Sequence, residues 1–199
     1  MRLYWAPHTR SLRVLWLLEE IGAPYERVLV DLKAGAQRTP AYHQINPMEK
    51  VPALQDGEVC VAESGAIIAY LADKFPHSGL APAMDAPTRG RYLQWPFFSG
   101  GCVEGAITQK FGNLQIPETS AGWGSFERVF NVLEEVLAAK PYLLGEDFSA
   151  ADLLIASDLH FVINIFKMLA PRPAFAAYLE RCQTRPAFQR ATKVDADGV

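Results

Sequence analysis

The sequence has little that would point to a metal, a membrane or a nucleic acid. Its three cysteines, Cys60, Cys102 and Cys182, are widely scattered and form neither a Cys-x-x-Cys pair nor a zinc-type spacing. No apolar run approaches the length of a membrane span, and a formal net charge of −3 gives no electrostatic reason to expect an anionic surface as partner. We therefore expect no metal site, no nucleic-acid partner and no membrane partner.

Other absences bear on the compartment and on the architecture. The chain opens directly with a strand-like segment rather than a signal peptide, and scattered unpaired cysteines are typical of a reducing environment, so we expect a cytoplasmic protein. Internal repeats and low-complexity segments are also lacking. With half of its 199 residues hydrophobic and 21% charged, the chain can form one large or two small compact domains.

The first quarter of the chain alternates between strand and helix patterns. Residues 2–5 form a short β-type run, and residues 25–32 form a second run rich in β-formers. Between them, apolar residues recur with helical spacing at Leu12, Leu15, Trp16 and Leu18, and Gly22 and Pro24 end the pattern. This order predicts a right-handed crossover between two parallel strands.

After residue 76 the strand signals disappear. Residues 77–87 contain two prolines and a glycine, which is typical of a linker. Residues 88–199 read as helical throughout, with a kink expected near Pro96 and a buried central helix after the cap-like Ser149-x-x-Asp152. We predict an α/β domain with a mixed sheet at residues 1–76 and an all-α helical bundle domain at residues 88–199.

The stretch from Asn46 to Ser64 carries the strongest functional signal. A proline at position 52 belongs at a strand start or edge, which leaves the backbone groups of Val51 free to meet an extended ligand. The Asp56-Gly57 pair predicts a hairpin, and Glu63-Ser64 places a carboxylate and a hydroxyl at a helix N-terminus, where anions bind. A peptide edge beside an anion site favours a small charged peptide as ligand.

These motifs together resemble the cytosolic glutathione transferase family. The resemblance covers essentially the whole chain and rests on five sets of residues: Asn46-Pro47-x-x-Lys50-Val51-Pro52-Ala53-Leu54, Asp56-Gly57, Glu63-Ser64-x-Ala66-Ile67, Ser11-x-Arg13-Val-Leu-Trp-Leu-Leu-Glu-Glu, and Phe148-Ser149-x-x-Asp152. It implies a thioredoxin-like domain followed by a helical domain that contributes a pocket for an apolar electrophile. It also implies a homodimer with a role in detoxification.

The resemblance assigns roles in glutathione binding to the central stretch. The Val51 backbone would pair with the cysteinyl part of glutathione, and Pro52 would follow a cis peptide bond. Glu63 and Ser64 would bind the γ-glutamyl end. Lys50 and Gln37 would reach the glycine carboxylate.

The catalytic position has two candidates. Members of the family stabilise the glutathione thiolate with a group placed after the first strand, and a hydroxyl there needs only to donate a hydrogen bond. Serine-type members place that hydroxyl four residues before the arginine that matches Arg13, which is Thr9 in this chain. Ser11 is the alternative, and the cysteine-type position is occupied by Arg10. The chain thus resembles a bacterial-type, serine/threonine-like member.

Three functions follow from this resemblance. The first is transfer of glutathione to apolar electrophiles. The second is a glutathione-dependent disulfide reductase or peroxidase reaction, since some bacterial relatives with a threonine at this position reduce disulfides. The third is a non-catalytic binding or interaction protein on the same fold.

Overall fold

A computed structural model of the chain describes residues 1–198 and divides it into two compact units. The first unit comprises residues 1–78 together with the segment from Thr184 onward, and the second comprises residues 79–183. Within the described residues, no helix combines the length and the apolar character needed to cross a membrane.

The first unit is built on a four-stranded mixed sheet. Its strands are β1 (Arg2–Trp5), β2 (Glu26–Leu29), β3 (Ala53–Asp56) and β4 (Val59–Ala62), in the spatial order β2-β1-β3-β4. Strands β1 and β2 are parallel, as the sequence predicts for a strand–helix–strand unit, and β3 pairs antiparallel with both β1 and β4.

Local chemistry sets the strand ends. Strand β2 is shorter than the predicted run 25–32, because the Asp31 carboxylate accepts the backbone N–H groups of Lys33 and Ala34, each at 3.0 Å, and turns the chain. The predicted hairpin forms between β3 and β4, where Gly57 has a φ of 62°. Glycine adopts this left-handed conformation at little cost.

Helices α1 (Ser11–Ile21) and α3 (Ser64–Lys74) pack against each other and beside the sheet, with a short helix α2 (Pro40–His43) between β2 and β3. Leu3 and Trp5 of the sheet and Leu15 and Trp16 of α1 are completely or almost completely buried. This arrangement confirms the predicted thioredoxin-like domain.

The second unit contains no β-strand among its described residues, and its regular elements are helices. Its α-helices are α4 (Arg89–Phe98), α5 (Glu104–Phe111), α6 (Phe126–Ala139), α7 (Ala150–Leu159) and α8 (Pro173–Gln183). Every residue of α7 is buried, which confirms the predicted central helix. The predicted kink after Pro96 takes the form of a π-helical turn, Ser99–Val103, that joins α4 to α5 without a break. A second π-helical segment, His160–Ile165, follows α7 and was not predicted.

The last helix, α9 (Pro186–Asp197), belongs to the first unit, whereas the sequence places it in the helical domain of residues 88–199. It packs on α1 through the Trp16 and Phe188 rings, whose centroids lie 4.7 Å apart. The sequence shows that α9 is amphipathic, but it does not show which surface its apolar face covers. The Arg185 guanidinium also donates to both carboxylate oxygens of Glu20 at 2.6 and 2.8 Å.

The cap at the start of α7 is a capping box, as predicted. Asp152 accepts the Ser149 backbone N–H at 2.9 Å and its hydroxyl at 2.7 Å. The same carboxylate accepts the Leu143 N–H at 2.8 Å and the Tyr178 hydroxyl at 3.1 Å. It is fully buried, so these donors have no access to water if it is removed.

We therefore expect Asp152→Ala to lower the free energy of unfolding by about 3 kcal/mol, because it removes a helix cap and leaves buried donors unsatisfied. Ser125→Ala is the control. The Ser125 side chain accepts only the Arg128 N–H at the start of α6, and its loss should cost about 1 kcal/mol. Urea denaturation of both variants measures the difference, and equal losses would contradict the assignment.

Candidate glutathione site

Three loops meet at one end of the sheet in the first unit. Ala53 at the start of β3 pairs with Tyr4 near the end of β1 on one side, and with Ala62 at the end of β4 on the other. The segments that adjoin these residues therefore lie side by side: the loop after β1, the loop before β3, and the turn from β4 into α3. Every candidate residue except Gln37 lies in one of these three segments or, like Ser11 and Ser64, is the first residue of the helix that follows.

The loop before β3 is fixed by two donors to one carbonyl. The Tyr42 hydroxyl donates to the Lys50 carbonyl oxygen at 2.6 Å, and the Asn46 amide donates to the same oxygen at 2.8 Å. Asn46 is buried and also accepts the Met48 N–H at 3.0 Å. Burial raises the pKa of Tyr42 to about 12, so its hydroxyl remains a donor at neutral pH.

This loop ends in a cis peptide bond between Val51 and Pro52, as predicted. Pro52 is buried, and Val51 is partly exposed. Within the described residues, the N–H and C=O groups of Val51 have no hydrogen-bond partner, since the ladder to β1 begins at Ala53. The loop thus presents one backbone donor and one backbone acceptor beside the end of β1.

The turn from β4 into α3 contains a backbone outlier. Glu63 has a φ of 68° and a ψ of 120°, and its side chain is exposed, while Ser64 is the first residue of the helix. A left-handed φ at a non-glycine residue costs on the order of 1–3 kcal/mol and is often found at ligand sites. The carboxylate and the hydroxyl stand at a helix N-terminus, where unpaired backbone N–H groups favour an anion.

The loop after β1 holds the two candidate hydroxyls in different environments. Ser11 is fully buried, and its oxygen accepts the Ala6 N–H at 3.3 Å. Thr9 is partly exposed. Its single hydroxyl proton has two acceptors within reach, the Ala6 carbonyl oxygen at 2.7 Å and Ser11 Oγ at 2.9 Å. Thr9 Oγ1 in turn accepts the Ser11 backbone N–H at 3.1 Å.

The same loop is anchored by a contact with α9, which the sequence did not indicate. The His8 backbone N–H donates to both carboxylate oxygens of Asp195 in α9, at 3.1 and 3.2 Å. Burial raises the pKa of the Asp195 carboxyl, although the His8 N–H and imidazole partly oppose this. No sequence signal distinguishes Asp195 from any other acidic residue of a terminal helix.

The remaining candidates differ in their surroundings. Gln37 lies in the 3₁₀ turn Ala36–Arg38 after β2, and its side-chain oxygen is buried without a hydrogen-bond partner among the described residues. Lys50 is exposed. The Tyr4 hydroxyl, at the same end of the sheet, donates to the Gln55 side chain at 2.9 Å. Within residues 1–198, no group of three or more His, Cys, Asp or Glu side chains could hold a metal ion.

Aromatic residues of the second unit, where the resemblance places a pocket for an apolar electrophile, have different surroundings. The rings of Phe111 and Phe166 lie 6.4 Å apart, and Phe111 is 78% exposed. The Trp123 ring instead covers Gly105, where an added Cβ would lie 2.5 Å from it, and its indole N–H donates to Gln109 at 2.6 Å. Trp123 therefore fastens the loop before α6.

Comparison with known proteins identifies the same two-part pattern. The family model described as the glutathione S-transferase N-terminal domain matches residues 1–73, and the corresponding C-terminal domain model matches residues 116–181. The chain is 33% identical to glutathione S-transferase Z2 of Arabidopsis thaliana over 85% of this chain and 80% of the relative. It is 32% identical to the disulfide-bond oxidoreductase YfcG of Escherichia coli over 95% of this chain and 93% of the relative.

A solved structure of a sphingomonad glutathione S-transferase complexed with glutathione has a TM-score of 0.83 and 31% identity, covering 98% of this chain and 99% of its own. The matched domains, the identities and the near-complete coverage agree with the architecture described above. The chain belongs to the glutathione S-transferase family.

Proposed function

We propose that the protein binds glutathione at the end of the sheet formed by the three loops and transfers it, as the thiolate, to apolar electrophiles. The observation that carries this proposal is the convergence, set by the Tyr4–Ala53–Ala62 pairing, of an unpaired backbone edge, a helix N-terminus and a partly exposed hydroxyl. A tripeptide with two carboxylates and one thiol has a complementary group for each of these features.

The binding roles are those that the family resemblance implies, and the local geometry supports them. The Val51 N–H and C=O bind the cysteinyl residue of glutathione as an added strand would. Glu63 and Ser64 bind the γ-glutamyl end, with Ser64 and the α3 N-terminus facing its carboxylate and Glu63 its ammonium group. Lys50 supplies a cation for the glycine carboxylate, and Gln37 supplies an amide.

Thr9 stabilises the thiolate, and the burial of Ser11 supports this choice between the two hydroxyls. When glutathione is bound, the Thr9 hydroxyl keeps its proton and redirects its hydrogen bond from the acceptors within the loop to the anionic sulfur, since a hydrogen bond to a charged acceptor is roughly twice as strong as a neutral one. The thiol proton leaves to solvent, the sulfur bonds to the electrophilic carbon, and the leaving group departs from that carbon. This assignment makes the chain a serine/threonine-type member.

The second unit supplies the apolar surface for the electrophile, with Phe111 and Phe166 as its first candidates. We also propose that two copies of the chain associate, since Met84 and Phe97 are 74% and 78% exposed in this unit. From the family, we also propose a cytoplasmic location and a role in detoxification.

A second function is favoured by one relative, which is named a disulfide-bond oxidoreductase. In that reaction the thiolate of one glutathione attacks a disulfide and releases one thiol. A second glutathione then attacks the mixed disulfide and releases oxidised glutathione and the other thiol. A peroxidase reaction would use the same thiolate. The binding-only alternative is supported by the Thr9 proton, which already has acceptors within its own loop.

The two leading reactions are separated by comparing the purified protein on a chloronitrobenzene substrate and on a mixed disulfide of glutathione. We expect the higher kcat/KM on the chloronitrobenzene. A higher value on the disulfide would assign the protein to the reductases, and no turnover of either, with glutathione binding retained, would support a binding protein.

Thr9→Val should lower kcat by about 10- to 1000-fold and leave the KM for glutathione nearly unchanged, because valine keeps the shape of threonine but cannot donate to the sulfur. Thr9→Ser should keep most of the activity. Thr192→Val is the matched control, since among the described residues the hydrogen-bond acceptors of the Thr192 hydroxyl are backbone carbonyls of α9. Unchanged turnover in Thr9→Val would remove this hydroxyl from the mechanism.

The left-handed conformation of Glu63 generates a stability prediction. Without ligand, Glu63→Gly should be more stable than Glu63→Ala by about 1 kcal/mol, because only glycine adopts a positive φ freely. Both variants should bind glutathione at least about tenfold more weakly, since each loses a charged hydrogen-bonding group.

Glu58, an exposed turn residue that is not among the described residues with positive φ, gives the matched pair. At this position glycine should bring no gain over alanine. Urea denaturation measures the stabilities, and calorimetric titration with glutathione measures the affinities. Wild-type affinity in both Glu63 variants would exclude Glu63 as a ligand.

A further inference from the structure

A buried carboxylate from outside the segment, Asp195, holds the loop that carries Thr9. Asp195 is 7% exposed, and both of its oxygens lie within hydrogen-bond distance of the His8 N–H. The His8 imidazole is 3.5 Å from the same carboxylate, but the His8 side chain is 76% exposed. The hydrogen bonds from the backbone amide, one residue before Thr9, are part-buried.

Helix α9 presents this carboxylate from a fixed position. Two arginines tie the helix to α1: Arg185 binds Glu20 through two hydrogen bonds, and Arg190 binds the Glu19 carboxylate at 2.7 Å and its carbonyl oxygen at 2.9 Å. The Trp16–Phe188 contact lies between these two pairs in the sequence of α9. The helix is thus fastened on α1 before the chain reaches Asp195.

The loop needs such an anchor because of its backbone conformation. His8 has a φ of 58°, in the left-handed region that costs a non-glycine residue free energy. A charge-assisted hydrogen bond from its N–H to Asp195 offsets part of this cost. Without it, the loop can relax toward an ordinary φ at His8, which would rotate the peptide that leads into Thr9.

We propose that Asp195 is a positioning residue: it holds the His8 amide and thereby fixes the loop of residues 7–10 that presents the Thr9 hydroxyl to the glutathione sulfur. This inference rests on the proposed function of Thr9. Asp195 does not contact the hydroxyl itself and acts only through the loop. A misplacement of about 1 Å in such a group is enough to lower turnover by up to about 100-fold.

Two measurements on the full chain test this role. Hydrogen–deuterium exchange of the ligand-free protein should show faster exchange of the backbone amides in residues 7–10 of Asp195→Ala. Steady-state kinetics of the same variant should show a kcat about tenfold lower with an unchanged KM for glutathione. Asp195→Asn, which keeps one acceptor oxygen and nearly the same shape, should fall between Asp195→Ala and the wild type, and it decides the matter if the alanine variant does not fold.

Asp197→Ala is the matched control, because Asp197 is an exposed acidic residue two positions away in the same helix. It should match the wild type in both measurements. The double variant Thr9→Val/Asp195→Ala should be no slower than Thr9→Val alone, because an anchor that acts through Thr9 has nothing left to position.

The outcomes separate this inference from the proposed function. Unchanged exchange in residues 7–10 overturns the anchor. Faster exchange in Asp195→Ala with an unchanged kcat overturns positioning through Thr9. So does a double variant in which Asp195→Ala lowers kcat by the same factor as it does in the wild type. If the wild type turns over neither substrate, or if Thr9→Val is fully active, the proposed function has failed, and the exchange measurement alone then decides whether Asp195 holds the loop.

Discussion

The antiparallel pairing of β3 with β1 on one side and with β4 on the other is the constraint on which the candidate site depends. Tyr4, Ala53 and Ala62 lie opposite one another on three adjacent strands. The loops next to them therefore lie at the same end of the sheet. The Lys50 carbonyl, held by Tyr42 and Asn46, then fixes the loop that carries Val51 and the cis-proline. The site is thus a consequence of sheet register.

Much of this could be predicted from sequence because the signals are local. A helical apolar period, an Asp-Gly turn and a Ser-x-x-Asp cap each act over a few residues, and each formed where it was expected. The cis bond before Pro52 came from the family resemblance and is also present. The convergence of the loops follows from the strand order of the sheet, which the sequence motifs did not specify.

The rest depends on contacts between distant parts of the chain. The surface that α9 covers is set by contacts of Arg185 and Arg190 with α1, between residues more than 160 positions apart in the sequence. These contacts also explain why residues 184–198 belong to the first unit. Asp195 and His8 are 187 residues apart. The burial of Ser11 relative to Thr9 is likewise a property of the folded loop. Sequence spacing alone could not choose between the Thr9 and Ser11 hydroxyls as the catalytic group.

The proposed function requires that glutathione is held with its sulfur against the Thr9 hydroxyl, which makes the thiol more acidic. The most direct measurement is the pKa of the glutathione thiol while it is bound, followed by the ultraviolet absorbance of the thiolate over a pH titration. A donor to the sulfur favours the anion, so the pKa in the wild type should lie well below the ~8.5 of a free thiol and should return toward that value in Thr9→Val. A bound thiol that titrates at the free value in the wild type would contradict the account.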